Sequence, residues 1–293
     1  MDIGVIGYGT VGMTTADVAR RLGHAVKVKD VELSRMNAAH AEGYGYLEQG
    51  ANVDIAFLCV PESNLRAALA SAPDSPVTVI RSTVPPGTTD HLSEELGRRL
   101  AHMPEFLREA TALSDALNPD FILIGCHDQH LGQCLADLFS PLLAPVFIVP
   151  PTTSEIVKLA LNAYLHTLVS FWNEIHMIAE HAGVQSHLVG KLCSFDPRVP
   201  TYGATMHGKP VGGRCLPKDI AQLIAFAEAM GHEPQLLKAV EALNNELIRK
   251  GDGKGPFNTI STRIVGSRCQ SDRLCNHRLR LNTYKATAPS IQE

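Results

Sequence analysis

The residues best suited to covalent chemistry lie in Val211-Gly212-Gly213-Arg214-Cys215-Leu216-Pro217-Lys218-Asp219. Two glycines let a substrate approach the Cys215 thiol, and Pro217 announces a helix start. A helix N-terminus beside Arg214 and Lys218 favours the thiolate, the nucleophilic form of cysteine. Asp219, four residues on, shares the thiol's side of that helix. A lone apolar-flanked cysteine is usually a packing residue, and Cys59, Cys126, Cys134 and Cys193 read that way. Cys269, Cys275 and His277 lack a second pair of metal ligands, so no metal site is expected.

A second polar set is Glu155, Lys158 and Asn162, at i, i+3 and i+7 on an otherwise apolar stretch. A lysine drawn into such a place needs a carboxylate partner or loses charge, and either state can steady an oxyanion or move a proton. The plainer reading is a polar stripe lining an interface. Pro104-Glu105-Phe106-Leu107-Arg108-Glu109 follows an apolar run and sets two glutamates one helical turn apart; its plainer reading is an exposed turn with a Glu/Arg pair.

Gly7, Gly9 and Gly12 in GVIGYGTVG (residues 4–12) form a GxGxxG between a strand and a helix. Gly7 permits the turn, Gly9 the approach of a pyrophosphate, and Gly12 close helix packing; the amides around Thr10 and Val11 face the anion. Asp30 ends the next strand, where a carboxylate accepts ribose hydroxyls and repels a 2′-phosphate, which favours NAD. Lys27 and Lys29 pull mildly the other way. Pro61, after a strand, and Ser82-Thr83-Val84-Pro85-Pro86-Gly87, after another, form further edges of such a site, although a Pro-Pro-Gly turn also explains the latter.

Short apolar runs alternating with helical stretches position these groups. Strands are predicted at Ile3 to Ile6, Ala25 to Lys29, Ile55 to Val60, Thr78 to Arg81, Leu100 to Met103, Phe121 to Gly125 and Val146 to Val149, which gives a Rossmann-like, doubly wound parallel sheet over residues 1–150. Ser154 to Ala182 is apolar on nearly every side and predicts a helix buried all round. Helices near Ser186 to Ser194, Pro217 to Met230 and Pro234 to Lys250 complete a mainly helical dimerisation unit over 151–250. Residues 251–293 are polar and basic without periodicity and read as a loose tail.

The chain has 293 residues, 45% hydrophobic and 19% charged, with a net charge of −4. That composition suits a globular protein of about two domains and offers no basic field for nucleic acid. The first apolar run is too short and glycine-broken to span a bilayer or serve as a leader. Seven cysteines without paired spacing imply reduced thiols and a cytoplasmic location.

These segments together resemble the UDP-glucose/GDP-mannose dehydrogenase family. The resemblance rests on GVIGYGTVG at 4–12, STVPPGTT at 82–89, PEFLREATALSDALNPD at 104–120, EIVKLALNAYL at 155–165, DPR at 196–198 and GGRCLPKD at 212–219, and covers about residues 1–250. It implies oxidation of a nucleotide-sugar alcohol to a carboxylate with NAD, in a homodimer. Cys215 would carry a thiohemiacetal and then a thioester. Lys158 and Asn162 would stabilise oxygen, Asp219 would assist proton transfer, and Thr83 and Glu105 would orient water or act as acid or base. Glu109 would sit with Pro61, Ser82 and Thr83 near the cofactor. Phe106, Leu107, Arg108 and Gly212 would contact substrate, and Arg198 would reach the partner's site.

The chain departs from the family between Asp30 and Asp54, where it is shorter, and at Pro61-Glu62-Ser63, where a Gly-Thr-Pro-like turn is usual. Arg214 replaces a small residue beside the thiol. Family members continue into a second α/β domain where this sequence turns polar. Two other readings follow: a non-catalytic NAD-binding dimer or truncated remnant of such an enzyme, and a short β-hydroxyacid dehydrogenase, which needs no acyl-forming cysteine.

Overall fold

Strand runs such as Ile55-Ala56-Phe57-Leu58, buried along their whole length, are apolar on both faces because helices cover both sides of a parallel sheet. The computed structural model describes residues 1–252 apart from 74, 206, 207 and 214. Its strands are β1 (Asp2–Ile6), β2 (Ala25–Lys29), β3 (Gly45–Tyr46), β4 (Ile55–Leu58), β5 (Val77–Ile80), β6 (Leu100–His102), β7 (Ile122–Gly125) and β8 (Val146–Val149). They form one sheet in the order β3-β2-β1-β4-β5-β6-β7-β8. All pairings are parallel except β6 with β7, joined antiparallel through His102 and Gly125. The order reverses between β1 and β4, the switch point at which open α/β sheets bind ligands.

The seven expected strands are present, each within two residues of its reading. The two-residue β3 was missed, since a pair containing glycine carries no periodicity. One core packs Ile3, Val5, Phe57 and Val79 with Leu135 and Phe139 on one face of the sheet. The other face packs Ile6, Leu58 and Ile80 with Leu65, Leu69 and Leu92.

The helices of the sheet region are α1 (Thr10–Arg21), α2 (Leu33–Ala41), α3 (Leu65–Ala70), α4 (Thr88–Leu96), α5 (Ala112–Leu117) and α6 (Gln129–Phe139). Then come α7 (Pro151–His181), α8 (Ser186–Cys193), the short α9 (Thr201–Ala204), α10 (Cys215–Ala229) and α11 (Gln235–Asp252). Ala163 of α7 packs with Ile220 and Ile224 of α10 and Val240 of α11 in a small third core.

Within a single chain α7 is buried on one face only. Tyr164, Phe171 and Ile178 lie exposed at 53%, 51% and 60%, whereas Glu155, Lys158, Asn162, His166, Ser170 and Asn173 are buried. The polar face of α7 turns toward its own chain because each of its first three groups has a partner there, and the apolar stripe is left outward. The expected tail falls, from residue 253 onward, outside the described residues. Among the described residues no helix is long and apolar enough to cross a membrane.

Candidate functional site

At the β1–α1 turn, Gly7 adopts φ +92°, and a Cβ there would stand 2.5 Å from the Cys59 carbonyl oxygen. A Cβ on Gly12 would stand 1.8 Å from the Gly7 carbonyl oxygen. Both glycines are therefore sterically required. The α1 N-terminus, capped by Gly9 with no side-chain hydrogen bond and no acid in its first turn, leaves its amides, at Thr10, Val11 and Gly12, available to an anion.

Asp30 arrives at this turn as expected, but its carboxylate is already engaged by the Tyr8 amide at 2.6 Å and the Glu32 amide at 2.8 Å. It fixes the glycine turn to the end of β2 as much as it offers an acceptor. Arg35, which sequence reasoning missed, stands 3.6 Å from Asp30 Oδ2 and reaches over Gly9. A lone basic residue in the first turn of α2 was its only signal.

The other edges converge on the same strand ends. The Cys59 amide donates to the Ile6 carbonyl at 2.7 Å, and the Cys59 carbonyl and Val60 side chain lie against Gly7, just ahead of Pro61. Ser82 Oγ donates to the Val60 carbonyl at 2.6 Å, tying β5 to β4. Thr83, next to it, is half-buried. Burial pushes the Cys59 thiol up to about 11, in keeping with a packing cysteine. These residues fit a dinucleotide: a cradle that any Cβ would fill, uncapped helix amides, and an acid at the ribose position.

Glu155 is not part of a Lys158 pair. Its buried carboxylate accepts the Gly87 amide at 2.5 Å, the Thr89 amide at 2.8 Å and the Thr89 hydroxyl at 2.7 Å. It thereby caps α4 and holds the Pro-Pro-Gly loop. Burial raises its pKa, opposed by these three donors. His102, also missed, is fully buried between Ser154 Oγ at 2.9 Å and the Ser82 carbonyl at 3.2 Å. The carbonyl requires the proton on Nε2, so Nδ1 accepts from Ser154, and burial pulls the imidazole down to about 4.

Lys158 finds the carboxylate its burial demands: Nζ donates to Glu105 Oε1 at 3.0 Å and to the Glu105 carbonyl at 2.8 Å, 5.4 Å above the Phe106 ring. One turn on, Asn162 Nδ2 donates to Asp219 Oδ2 at 2.5 Å. Lys218 Nζ forms an ion pair with Asp219 Oδ1 at 2.6 Å. Cys215 is exposed and opens α10, so that helix begins two residues before Pro217. Gly212 and Gly213 are exposed just ahead, Gly213 at φ +76°; Arg214 lies outside the described residues.

The segment 104–109 is extended rather than helical, Arg108 having φ −91° and ψ 131°. Glu105 therefore turns inward to Lys158, while Glu109 is exposed at the start of a short 3-10 turn. The Glu/Arg alternative fails as well, because Arg108 is held by Asp115 through Nε at 3.0 Å and Nη2 at 2.6 Å. The Leu107 amide donates to Glu105 Oε2 at 2.7 Å, and Phe106 packs on Phe121 at 4.7 Å. A cavity of about 600 Å³ opens here between Glu105, Phe106, Leu107 and Arg81. Burial lowers the Arg81 pKa, with the Cys59 and Glu105 charges opposing; sequence reading passed over this residue as a strand end. Arg198, exposed and paired with Asp196 at 2.7 Å, is not brought to its own chain's site.

The switch-point glycine turn and strand-end acid define a Rossmann-type dinucleotide-binding protein, and α7 joins it to a second cluster around Glu105, Lys158, Asn162 and Asp219. Residues 152–246 match the central domain of the UDP-glucose/GDP-mannose dehydrogenase family and residues 51–143 its NAD binding domain. A UDP-glucose 6-dehydrogenase of Bacillus subtilis is 32% identical over 84% of this chain and 66% of its own length. A UDP-glucose 6-dehydrogenase of Haloferax volcanii is 31% identical over 84% of this chain and 70% of its own. The solved UDP-glucose dehydrogenase of Pyrobaculum islandicum superposes with a TM-score of 0.76 at 29% identity, covering 85% of this chain and 69% of that one. The UDP-D-ManNAc dehydrogenase of Pyrococcus horikoshii, at 22% identity and a TM-score of 0.75 over 86% of this chain and 70% of that one, shares the fold. The chain belongs to the UDP-glucose/GDP-mannose dehydrogenase family. It spans about two thirds of the length of these relatives.

Proposed function

We propose that the protein catalyses the NAD-dependent, two-step oxidation of a nucleotide-sugar primary alcohol to the carboxylate through a thioester on Cys215. The observation that carries this reading is the placement, on successive turns of α7, of Lys158 against Glu105 and Asn162 against Asp219, with Asp219 one turn after Cys215 on α10.

Residues 1–150 form the cofactor-binding unit and 151–250 the helical unit. Gly7, Gly9, Gly12 and the amides of Thr10 and Val11 would hold the pyrophosphate, Asp30 and Arg35 the adenosine ribose, and Pro61, Ser82, Thr83 and Glu109 the nicotinamide half. When bound, NAD accepts the hydride of each oxidation. The Cys215 thiolate adds to the aldehyde carbon, and the oxygen of the resulting thiohemiacetal is stabilised by Lys158 and Asn162. After the second oxidation, water oriented by Thr83 and Glu105 attacks the thioester carbonyl, and the thiolate leaves. Asp219 shuttles the proton of the thiol. Phe106, Leu107, Arg108 and Gly212 would line the substrate.

The outward stripe of Tyr164, Phe171 and Ile178 supports pairing of α7 with its twin, which would bring Arg198 to the partner's site. The free thiols of the described cysteines are in keeping with a cytoplasmic location. Incubation with NAD and UDP-glucose, UDP-N-acetylmannosamine or GDP-mannose tests the reading. Two NADH per acid are expected with one of these donors, and one NADH per substrate would contradict it.

A further inference from the structure

His166 follows Asn162 by one turn on the buried face of α7, in the contact with α10. It is 1% exposed, and neither ring nitrogen has a hydrogen-bond partner among the described residues. Its ring lies at the Leu216 backbone carbonyl, the residue directly after Cys215. A buried polar group left unpaired is destabilising, and an aliphatic side chain would fill a helix contact without that cost. The same helix already grips α10 one turn away, through Asn162 and Asp219 at 2.5 Å. Hydrogen bonds of reacting sites are often unmade in the free protein and close in the substrate complex.

We propose that His166 is a positioning residue for the nucleophile: its ring N–H takes the Leu216 carbonyl when the first turn of α10 seats, fixing the presentation of the Cys215 thiol. The proposal rests on the assignment of Cys215 above. Asn162 and His166 then form a two-point clamp from α7, one point on Asp219 and one on the backbone beside the sulfur. Burial lowers the pKa of the ring, so it serves as a neutral donor rather than a second cation.

The test compares His166→Leu, which keeps bulk without a donor, with His166→Asn and His166→Gln, which set an amide N–H near the positions of Nδ1 and Nε2. The readouts are kcat, KM for NAD, and the iodoacetamide alkylation rate of Cys215 followed on its own peptide by mass spectrometry. His166→Leu is expected to lower kcat about tenfold to a hundredfold, leave KM for NAD unchanged, and change the Cys215 alkylation rate, with one amide variant restoring both. Unchanged kcat and alkylation in His166→Leu, or failure of both amide variants to restore them, overturns the proposal. Should the variants not fold, nitrogen NMR of His166 in the wild-type protein replaces them. A ring N–H that becomes hydrogen-bonded on adding NAD and nucleotide sugar supports the proposal, and an unaltered ring refutes it. If the wild-type chain oxidises no nucleotide sugar, the functional reading fails, and the alkylation comparison still decides the role of His166.

Discussion

Asn162 and Asp219 are joined by a buried 2.5 Å hydrogen bond that crosses from α7 to α10 one turn behind Cys215. The bond supplies a donor to one carboxylate oxygen of a buried acid whose other oxygen pairs with Lys218. Asn162→Ala leaves one carboxylate oxygen without its donor, and is expected to cost about 2 kcal/mol of stability in urea titrations. If Asn162 also faces the reacting oxygen, kcat falls about 10²–10³-fold. An unchanged urea midpoint would show that the bond does not hold the two helices.

Gly12 leaves no room for a side chain, since a Cβ would meet the Gly7 carbonyl oxygen at 1.8 Å. Gly12→Ala must push α1 away from β1, at a cost of about 1–3 kcal/mol, and spoil the amide cradle. Calorimetry with NAD should record a large loss of affinity, while the sheet's circular dichroism persists. Wild-type affinity in this variant would remove the glycine turn from the cofactor site.

His102 predicts an acid-sensitive fold. The unfolded residue takes its proton near pH 6.5 and the buried one only near pH 4, so between these values the unfolded state binds more protons. The stabilisation is complete above pH 6.5 and is lost as the pH falls toward 4, by up to about 3 kcal/mol. Urea midpoints measured across this range should decline in the wild-type protein and decline less in His102→Asn. Equal slopes would place the acid sensitivity elsewhere.

The sheet was legible because strands buried on both faces read as apolar runs between breakers, as in Ile55 to Leu58 and Ile122 to Gly125. The glycine turn was legible because Gly7 and Gly12 meet steric demands that no other residue satisfies. What escaped depended on distant partners. Glu155 looked like a neighbour of Lys158 on one helix face, yet its carboxylate belongs to Gly87 and Thr89, 68 and 66 residues away. Glu105 and Glu109 suggested a helical turn, but Arg108 is drawn onto Asp115 and the segment stays extended. The length of α7 was readable; which face turned inward was not, because apolar count alone ranks Phe171 and Tyr164 above Asn162 and His166.

The outward stripe on α7 gives a test of assembly. Phe171 is 51% exposed and Ile178 60%, so Phe171→Glu is expected to convert a dimer into a monomer in sedimentation equilibrium without unfolding the chain. A wild-type protein that is monomeric at micromolar concentration would contradict pairing through this helix.

The sulfur of Cys215 carries the central claim, and peptide mass spectrometry of samples quenched during turnover with NAD and a nucleotide sugar tests it most directly. An acyl adduct of the sugar on the Cys215 peptide, absent in Cys215→Ser together with acid formation, is the expected result. Acid formed at the wild-type rate by Cys215→Ser, with no adduct on the wild-type peptide, would contradict the account.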